Sequence, residues 1–428
     1  MHQSHQTRIN VFVTAVSTFI PQAILNRWIR RSLGLLGVLW LGHAGTLDCQ
    51  AQAGNIAHKA WWPDTVEQAL SQAGTNRAAF EAALLAAPEA QRAGYQFLLE
   101  NMPPGDLKTL SPSILAENTA LAYEVMDKVP WAKNVPSEIF LNEILPYCNI
   151  NETRESWRKQ LHDLCWPLVK DSRTPSEAAQ RLNQKLFGLV HVKYSTGRRK
   201  ADQSPSESMA TGLASCTGLT ILLVDACRSV GVPARLVAVP MWADDRGNHT
   251  WAEIWDQKWH FTGAAEPDSH GLDHAWFEPD AAKADKNSRR HAIYAASYRR
   301  TDLALPMDWA PHLDTVSAEN VTDHYTPAKA PTALGKTRLM VRVLDHPSGK
   351  RVVAKVRVTD AQNAALKLEG TSRDESADWN DMASFEVERR HEYTIKVEGQ
   401  GKTVTRKIST GTGDQETLGI DLGSNSKE

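Results

Sequence analysis

The chain has 428 residues, a formal net charge of −2 and a 42% share of hydrophobic residues. A length above about 250–300 residues exceeds what one hydrophobic core organises, so two or three domains are expected. The nearly balanced charge provides no overall field that would attract nucleic acid or an anionic membrane. A nucleic-acid partner is therefore not expected.

The first 53 residues have the features of an export signal. The basic sequence RWIRR (27–31) precedes an apolar run, and Ala51-Gln52-Ala53 supplies small residues for cleavage. The run of about 15 residues is shorter than the roughly 20 that a membrane span requires. We predict a signal peptide over 1–53, no stable membrane span after its removal, and a periplasmic, cell-surface or secreted location. The alternatives are an uncleaved anchor or a lipoprotein at Cys49, where the preceding Asp48 is unsuited to a lipoprotein site.

The hydrophobic pattern divides the remaining chain into regions. Apolar residues spaced three and four apart predict a helical N-terminal region over 54–175. Within 176–300, a helix that begins near Cys216 is followed by three apolar or alternating segments: ARLVAVPM, HTWAEIW and KWHFTG. These segments are typical of antiparallel strands, so this region is predicted to be α+β.

The composition and the hydrophobic period change in the C-terminal third of the chain. Residues 301–334 are rich in Pro, Ala, Asp and Thr, which predicts a linker. Over 335–428 the hydrophobic period becomes two, and turn sequences such as HPSGK separate the alternating segments. This pattern predicts a β-sandwich domain.

The cysteines and histidines do not have the spacing of a metal site. Four cysteines follow the predicted signal: Cys148, Cys165, Cys216 and Cys227. In an oxidising compartment Cys148 and Cys165 can form a disulfide, which the sequence leaves open. No CxxC motif is present, so a structural zinc site is not expected. Three histidines near the predicted hairpin lack convergent ligand spacing and are expected to be solvated or packed: His260, His270 and His274.

Cys216 lies where a helix is predicted to begin. Free backbone N–H groups and the positive end of the helix dipole stabilise a thiolate at this position. Ser215 is a suitable N-cap, and Gly218 allows close approach by a substrate or a facing strand. Cys227, three turns further along, is predicted to be a small buried hydrophobe. Cys216 is therefore the candidate nucleophile.

His249 is the candidate base. It follows the turn sequence RGN and opens the alternating segment that contains Trp251, Glu253 and Trp255. An imidazole at the mouth of a strand, with a tryptophan on the same face, can accept the proton of a nearby thiol and shield the pair from water.

Two sequences, CTGLTILLVDACRSVGVPARLV and NHTWAEIWDQKWHF, resemble the transglutaminase-like superfamily, a papain-related group with a Cys-His-acid core. The resemblance covers about 120–280. It implies a cysteine-protease-type core with an antiparallel sheet, in which Cys216 is the nucleophile and His249 the base. The family has an aspartate four residues after the tryptophan that corresponds to Trp259, and this chain has Gly263 there.

The C-terminal sequence VLDHPSGKRVVAKVRVTD resembles carboxypeptidase-regulatory-like or immunoglobulin-like domains, which implies a spacer or binding module without chemistry of its own.

Strand pairing offers a replacement for the missing aspartate. A two-residue turn at 257–258 would place Glu266 opposite His249, whereas a three-residue turn would place Ala265 there. Glu266 is the first choice for the acid that orients His249. Asp268, a water molecule, an amide or no third group are the alternatives.

Acyl transfer also requires donors for an oxyanion. The backbone N–H of Cys216 is one, and a second must come from upstream, where Tyr194 is a candidate that otherwise belongs to the core.

These residues and the resemblance predict an exported, thiol-dependent enzyme that acts on amide bonds of peptide, protein or peptidoglycan substrates. Hydrolysis is favoured over cross-linking, and no metal or organic cofactor is implied. The alternative is a non-catalytic surface-binding module on the same scaffold.

Overall fold

A computed structural model describes residues 60–326, 335–360, 363 and 366–423. The predicted signal peptide, including Cys49, lies outside the described residues. Within the described ranges, no helix combines the length and the apolar character that crossing a lipid bilayer demands.

The N-terminal region is helical, as predicted. Its first five helices, α1 to α5, are Asp64–Ser71, Arg77–Ala86, Arg92–Asn101, Pro104–Thr109 and Pro112–Met126. The short helix α6 (Ser137–Ile139) continues into a π-helical turn, Phe140–Ile144. Apolar residues four apart, such as Phe80 and Leu84 on α2, face inward because this spacing places them on one side of a helix.

The central part of the core is a helix that is buried at every residue after its first. Four helices, α7 to α10, are Arg158–Val169, Pro175–Leu189, Pro205–Thr211 and Cys216–Ser229. Two short parallel strands, β1 (Lys193–Tyr194) and β2 (Leu213–Ala214), lead into α10. Because α10 is enclosed by α7, α8 and the sheet described next, its first residue is held in a fixed position.

A five-stranded antiparallel sheet packs against α10. Its strands, β3 to β7, are Ala234–Val239, His249–Asp256, Lys258–Thr262, Tyr294–Ser297 and Ser317–Asn320, in the order β5-β4-β3-β6-β7. Helix α11 (Glu278–Ala281) lies between β5 and β6, and α12 (Thr322–Tyr325) follows β7. Both β7 and α12 lie within 301–334, the segment predicted as a linker, so residues up to Tyr325 form part of the core.

The hairpin between β4 and β5 differs from the expected turn. Trp255 pairs with Trp259, and the chain reverses at Gln257, which has a φ of 65°. The two-residue turn was therefore the wrong prediction. Extending the observed register would place Ala265 opposite His249, but regular pairing ends before that point, at Thr262.

The C-terminal region is a β-sandwich, as predicted. Its strands, β8 to β14, are Lys336–Leu344, Lys355–Asp360, Lys367–Thr371, Ala383–Glu388, Glu392–Gly399, Lys402–Ser409 and Gln415–Asp421. One sheet has the order β10-β9-β12-β13 and the other β11-β8-β14, with β14 parallel to β8. Alternating residues of both sheets form a core separate from those of the preceding regions. The α+β fold class with a C-terminal sandwich is thus confirmed.

The cysteines that the sequence left open for pairing are free thiols. Cys148 packs among the N-terminal helices, whereas Cys165 lies in a different hydrophobic cluster beneath α10. Cys227 shares that second cluster and is fully buried, as expected for a small core residue. In this structure Cys148 and Cys165 do not form a disulfide.

Candidate active site

Cys216 is the first residue of α10 and is half-buried. The Ser215 hydroxyl accepts the backbone N–H of Gly218 at 3.0 Å, so Ser215 caps the helix as predicted. A Cβ atom on Gly218 would lie 3.2 Å from the Cβ of Ala214 on β2, so the glycine permits the close approach of that strand. The thiol thus lies at the positive end of a well-capped helix, which favours its ionised form.

His249 opens β4 and is only 1% exposed. Four aromatic rings surround its imidazole, with centroid distances of 4.8 Å to Trp276, 5.0 Å to Phe277, 5.9 Å to Trp251 and 6.1 Å to Trp242. This enclosure excludes water and strengthens the electrostatic interactions of the ring.

The imidazole lies between a thiol and two carboxylates. The Cys216 sulfur, a ring nitrogen of His249 and a carboxylate oxygen of Asp378 all lie within 4.8 Å of one another. Asp378 Oδ2 is 3.5 Å from Nδ1 of the ring, and Glu266 Oε2 is 3.7 Å from Nε2. Among the described residues, neither ring nitrogen has a hydrogen bond of ordinary geometry. The Cys216, His249 and Asp378 cluster has the residue types of a Cys-His-Asp catalytic triad, and Glu266 is a second acid at the other ring nitrogen.

Asp378 belongs to the C-terminal β-sandwich, in the loop between β10 and β11. No local spacing pattern in the sequence indicates Asp378, because its approach to His249 depends on the docking of two regions. An acid-rich segment between predicted strands, RDESADWNDM (373–382), was the available signal. The expectation that this domain contributes no chemistry needs correction, since one of its side chains reaches the site.

The charges of the site depend on one another. Burial alone would lower the pKa of His249, but the carboxylate of Asp378, together with Cys216 and Glu266, raises it well above its usual value. Burial likewise opposes ionisation of Asp378, but the His249 charge holds the pKa of Asp378 below its usual value. Burial raises the pKa of Glu266 to about 7, with the His249 charge opposing this rise and the nearby Asp378 adding to it. The site therefore favours an imidazolium at neutral pH.

Glu266 occupies the space that a side chain at position 263 would need. A Cβ atom on Gly263 would overlap the Glu266 carboxylate and lie 3.0 Å from its Cβ. The chain turns back over these residues, because the N–H of Glu266 donates to the Gly263 carbonyl at 3.2 Å and Ala265 has a φ of 65°. Trp276 Nε1 then donates to Glu266 Oε2 at 2.8 Å. The predicted acid thus reaches His249 through a tight turn rather than through strand register.

Gly263→Ala is expected to lower kcat by about 100-fold, because the added methyl displaces the Glu266 carboxylate, and a shift of about 1 Å in an orienting group costs this much. The measurement is steady-state amide hydrolysis by the purified variant. Gly188→Ala in α8 is the matched control, since a Cβ there meets no atom within 4 Å. An unchanged kcat in Gly263→Ala would contradict an orienting role for Glu266.

The alternative acid, Asp268, and the candidate oxyanion donor, Tyr194, both have other hydrogen-bond partners than His249 and Cys216. Asp268 accepts from the backbone N–H of His270 at 2.8 Å and lies equally close to its Nδ1, so its nearest imidazole is that of His270. Tyr194 is buried, and its hydroxyl accepts the backbone N–H of Trp379 at 3.3 Å. Burial, with Asp378 and Cys216 nearby, raises the pKa of Tyr194 above its usual value. Tyr194 is thus close enough to the thiol to interact with it electrostatically, and its role as an oxyanion donor stays a prediction.

The three histidines considered as metal ligands are dispersed. His260 Nδ1 lies 2.6 Å from Asp273 Oδ2, and the rings of His270 and His274 are 5.3 Å apart on the outside of the core. Among the described residues, the group whose side chains are close enough to share a metal ion is the Cys216 cluster itself.

Part of the core is similar to a known superfamily. Residues 163–264 match the family model of the transglutaminase-like superfamily. A candidate cysteine protease from Cytophaga hutchinsonii is 17% identical over 27% of this chain and 40% of its own, with a TM-score of 0.23. Red sea bream transglutaminase is 10% identical over 69% of this chain and 59% of its own, with a TM-score of 0.25. The match thus spans less than two thirds of either protein.

No relative was found among curated protein sequences. The matched segment contains Cys216, His249 and Gly263, whereas Glu266 and Asp378 lie beyond it. Residues 163–264 are therefore similar to a transglutaminase-like superfamily domain, and both carboxylates near His249 come from outside this segment.

Proposed function

We propose that this protein is a thiol-dependent acyl-transfer enzyme that hydrolyses amide bonds in peptide, protein or peptidoglycan substrates. The observation that carries the proposal is the placement of the Cys216 thiol at the N-terminus of α10, beside a buried imidazole flanked by carboxylates. A helix N-terminus and an adjacent imidazole activate a thiol as a nucleophile.

The reaction proceeds in two halves. The reacting pair is the Cys216 thiolate and the protonated His249, and the thiolate attacks the amide carbonyl to form a tetrahedral oxyanion, which the backbone N–H of Cys216 stabilises. As the C–N bond breaks, His249 returns the proton to the leaving amine, and a thioester remains on Cys216. His249 then removes a proton from water, the hydroxide attacks the thioester, and a carboxylic acid leaves as the thiol is restored.

The acceptor and the location are part of the same proposal. The sequence specifies no second site for an amine, which favours water over an amine as acceptor. The signal-like residues 1–53 favour export, and an exported amidase would meet peptides and peptidoglycan rather than intracellular substrates.

The ionisation of Cys216 tests the proposal directly. The rate of iodoacetamide labelling at Cys216, read by mass spectrometry, should be nearly as high at pH 6 as on its plateau at alkaline pH. An ordinary thiol with a pKa near 8.5 is only about 0.3% ionised at pH 6. His249→Ala should therefore reduce the ratio of the two rates by up to about 300-fold.

The ratio of rates is independent of how accessible the thiol is, because both rates come from the same protein. The buried Cys148, Cys165 and Cys227 serve as internal references for labelling after unfolding. A ratio of the pH 6 rate to the plateau rate no higher than that of a free cysteine would overturn the enzyme proposal and favour a binding module on the same scaffold.

A further inference from the structure

The loop between β10 and β11, residues 372–382, lies across the candidate active site, and we call it the strap. We propose that the strap is autoinhibitory: Asp378 occupies the side of His249 where Cys216 and the substrate acyl group must meet, and the strap withdraws when substrate binds. This inference rests on the proposed function and concerns the regulation of the same site.

Asp378 lies on the thiol side of the imidazole. Its carboxylate is within 4.8 Å of both the Cys216 sulfur and a ring nitrogen, and its closest ring atom is Nδ1. Glu266 approaches the other nitrogen, Nε2, and is not part of the compact group formed by the thiol, the imidazole and Asp378. Cys216 and Asp378 therefore compete for the same region of the ring.

The orienting position on the far side of the ring is already filled. Glu266 replaces the side chain missing at Gly263, within the turn that follows β5, and Trp276 holds its carboxylate by a hydrogen bond of 2.8 Å. One carboxylate is sufficient to orient an imidazole for nucleophilic catalysis. Asp378 is thus a second acid, for which the hydrolysis described above has no need.

The position of Asp378 is that of a bound product. Hydrolysis of the thioester leaves a carboxylate next to the Cys216 sulfur and the protonated His249, which is the arrangement that the Asp378 side chain makes. Asp378 is 2% exposed, so it fills the space instead of lining a solvated rim. An acyl group and the Asp378 carboxylate cannot occupy this space together.

The strap is attached to both domains by polar contacts. On the core side, Asn380 Nδ2 donates to the Asn248 carbonyl at 3.1 Å, and Arg246 donates to the Asn380 carbonyl at 3.0 Å. Within the sandwich, Arg351 donates to the Asp378 carbonyl at 2.7 Å, which ties the strap to its own domain. The strap therefore moves with the sandwich when the contacts to the core break.

The wider contact between the sandwich and the core is also polar. The described residues of the sandwich have their own hydrophobic cluster, which is separate from those of the core. Contacts between the two regions include the ion pair of Arg338 with Asp280 and the hydrogen bond of Lys283 with Gln415. Polar interfaces of this kind permit relative domain movement more readily than large apolar ones.

The alkaline plateau of iodoacetamide labelling tests the strap, because the Cys216 thiol is ionised there in every variant and the rate reports access alone. Asp378→Ala should raise the plateau about tenfold and raise kcat/KM for amide hydrolysis. Asn380→Ala, which loosens the strap without touching His249, should change both in the same direction. Glu386→Ala is the matched control, since it removes an exposed carboxylate of β11 that pairs with Lys336, outside the strap.

The direction in which kcat and the labelling plateau change distinguishes an inhibitory from an orienting role of Asp378. A fall in kcat in Asp378→Ala with an unchanged plateau would overturn autoinhibition and make Asp378 the orienting acid. A raised plateau in both Asp378→Ala and Asn380→Ala supports the autoinhibitory role of the strap even if no amide is hydrolysed. In that case only the proposed function fails. If hydrolysis depends on Cys216 but the plateau stays constant in both variants, the enzyme proposal stands and the strap proposal fails.

Discussion

Replacing Cys216 by alanine is expected to remove amide hydrolysis, with a loss in kcat on the order of 10⁶-fold, because the covalent step then has no nucleophile. The protein should stay folded, since Cys216 is half-buried at the helix N-terminus and the Ser215 cap is untouched. The assay is amine or ammonia release from a library of acylated peptide amides and from peptidoglycan stem peptides.

Cys227→Ala is the matched control for that substitution. Cys227 lies in the same helix but is fully buried, and burial raises the pKa of its thiol well above the usual value, so it is no nucleophile. Its replacement should lower stability slightly while leaving kcat unchanged. Equal activity in the wild type and in Cys216→Ala would show that the hydrolysis arises from another site or a contaminant.

Glu253→Ala is expected to lower the free energy of unfolding by about 3–5 kcal/mol, the usual cost of leaving one member of a buried ion pair without its partner. Glu253 is fully buried on β4 and pairs with Arg235 at 2.7 Å. It also accepts from the Tyr325 hydroxyl at 2.6 Å and lies 2.8 Å from Nδ1 of His324. The measurement is a urea titration followed by tryptophan fluorescence.

Glu319 provides the matched control, since it pairs with the same Arg235 at 3.0 Å but its side chain is 50% exposed. Glu319→Ala should cost no more than about 1 kcal/mol, because water screens exposed ion pairs. Similar losses in the two variants would contradict a dominant role for the buried pair.

The stabilisation that the pair of Glu253 and Arg235 provides also depends on pH. Burial opposes ionisation of Glu253, but Arg235, with His324 and Tyr325, holds the pKa of Glu253 below its usual value of 4.5. Its stabilising contribution should therefore be complete above about pH 4.5 and be lost as the pH falls through the lower, folded-state pKa. Glu253→Ala should lack this part of the acid dependence.

Local patterns in the sequence were sufficient for much of the site. A capping serine before an apolar helical run places Cys216 at a helix N-terminus, and strict alternation after a turn places His249 at the start of a strand. Both predictions depend on short-range geometry, because helix capping and strand alternation are properties of residues close together in the chain. For the same reason the β-sandwich was evident from its two-residue period.

The carboxylates required the tertiary structure. Glu266 was selected on a strand register that the structure does not have, and it reaches His249 because the chain turns back after Thr262 and Gly263 leaves room for it. That outcome depends on a backbone turn in which Ala265 has a positive φ, and an alanine in the sequence does not predict this conformation.

The thiol, the imidazole and the three-part α+β organisation could be predicted from local sequence, since each follows from periodicity and end signals within one element. The contact of Asp378 with the imidazole, and the membership of β7 and α12 in the core rather than in a linker, are evident only from the three-dimensional structure. Docking of distant segments depends on the complementary shape and charge of two folded surfaces. Such complementarity leaves no repeating pattern along the chain from which it could be predicted.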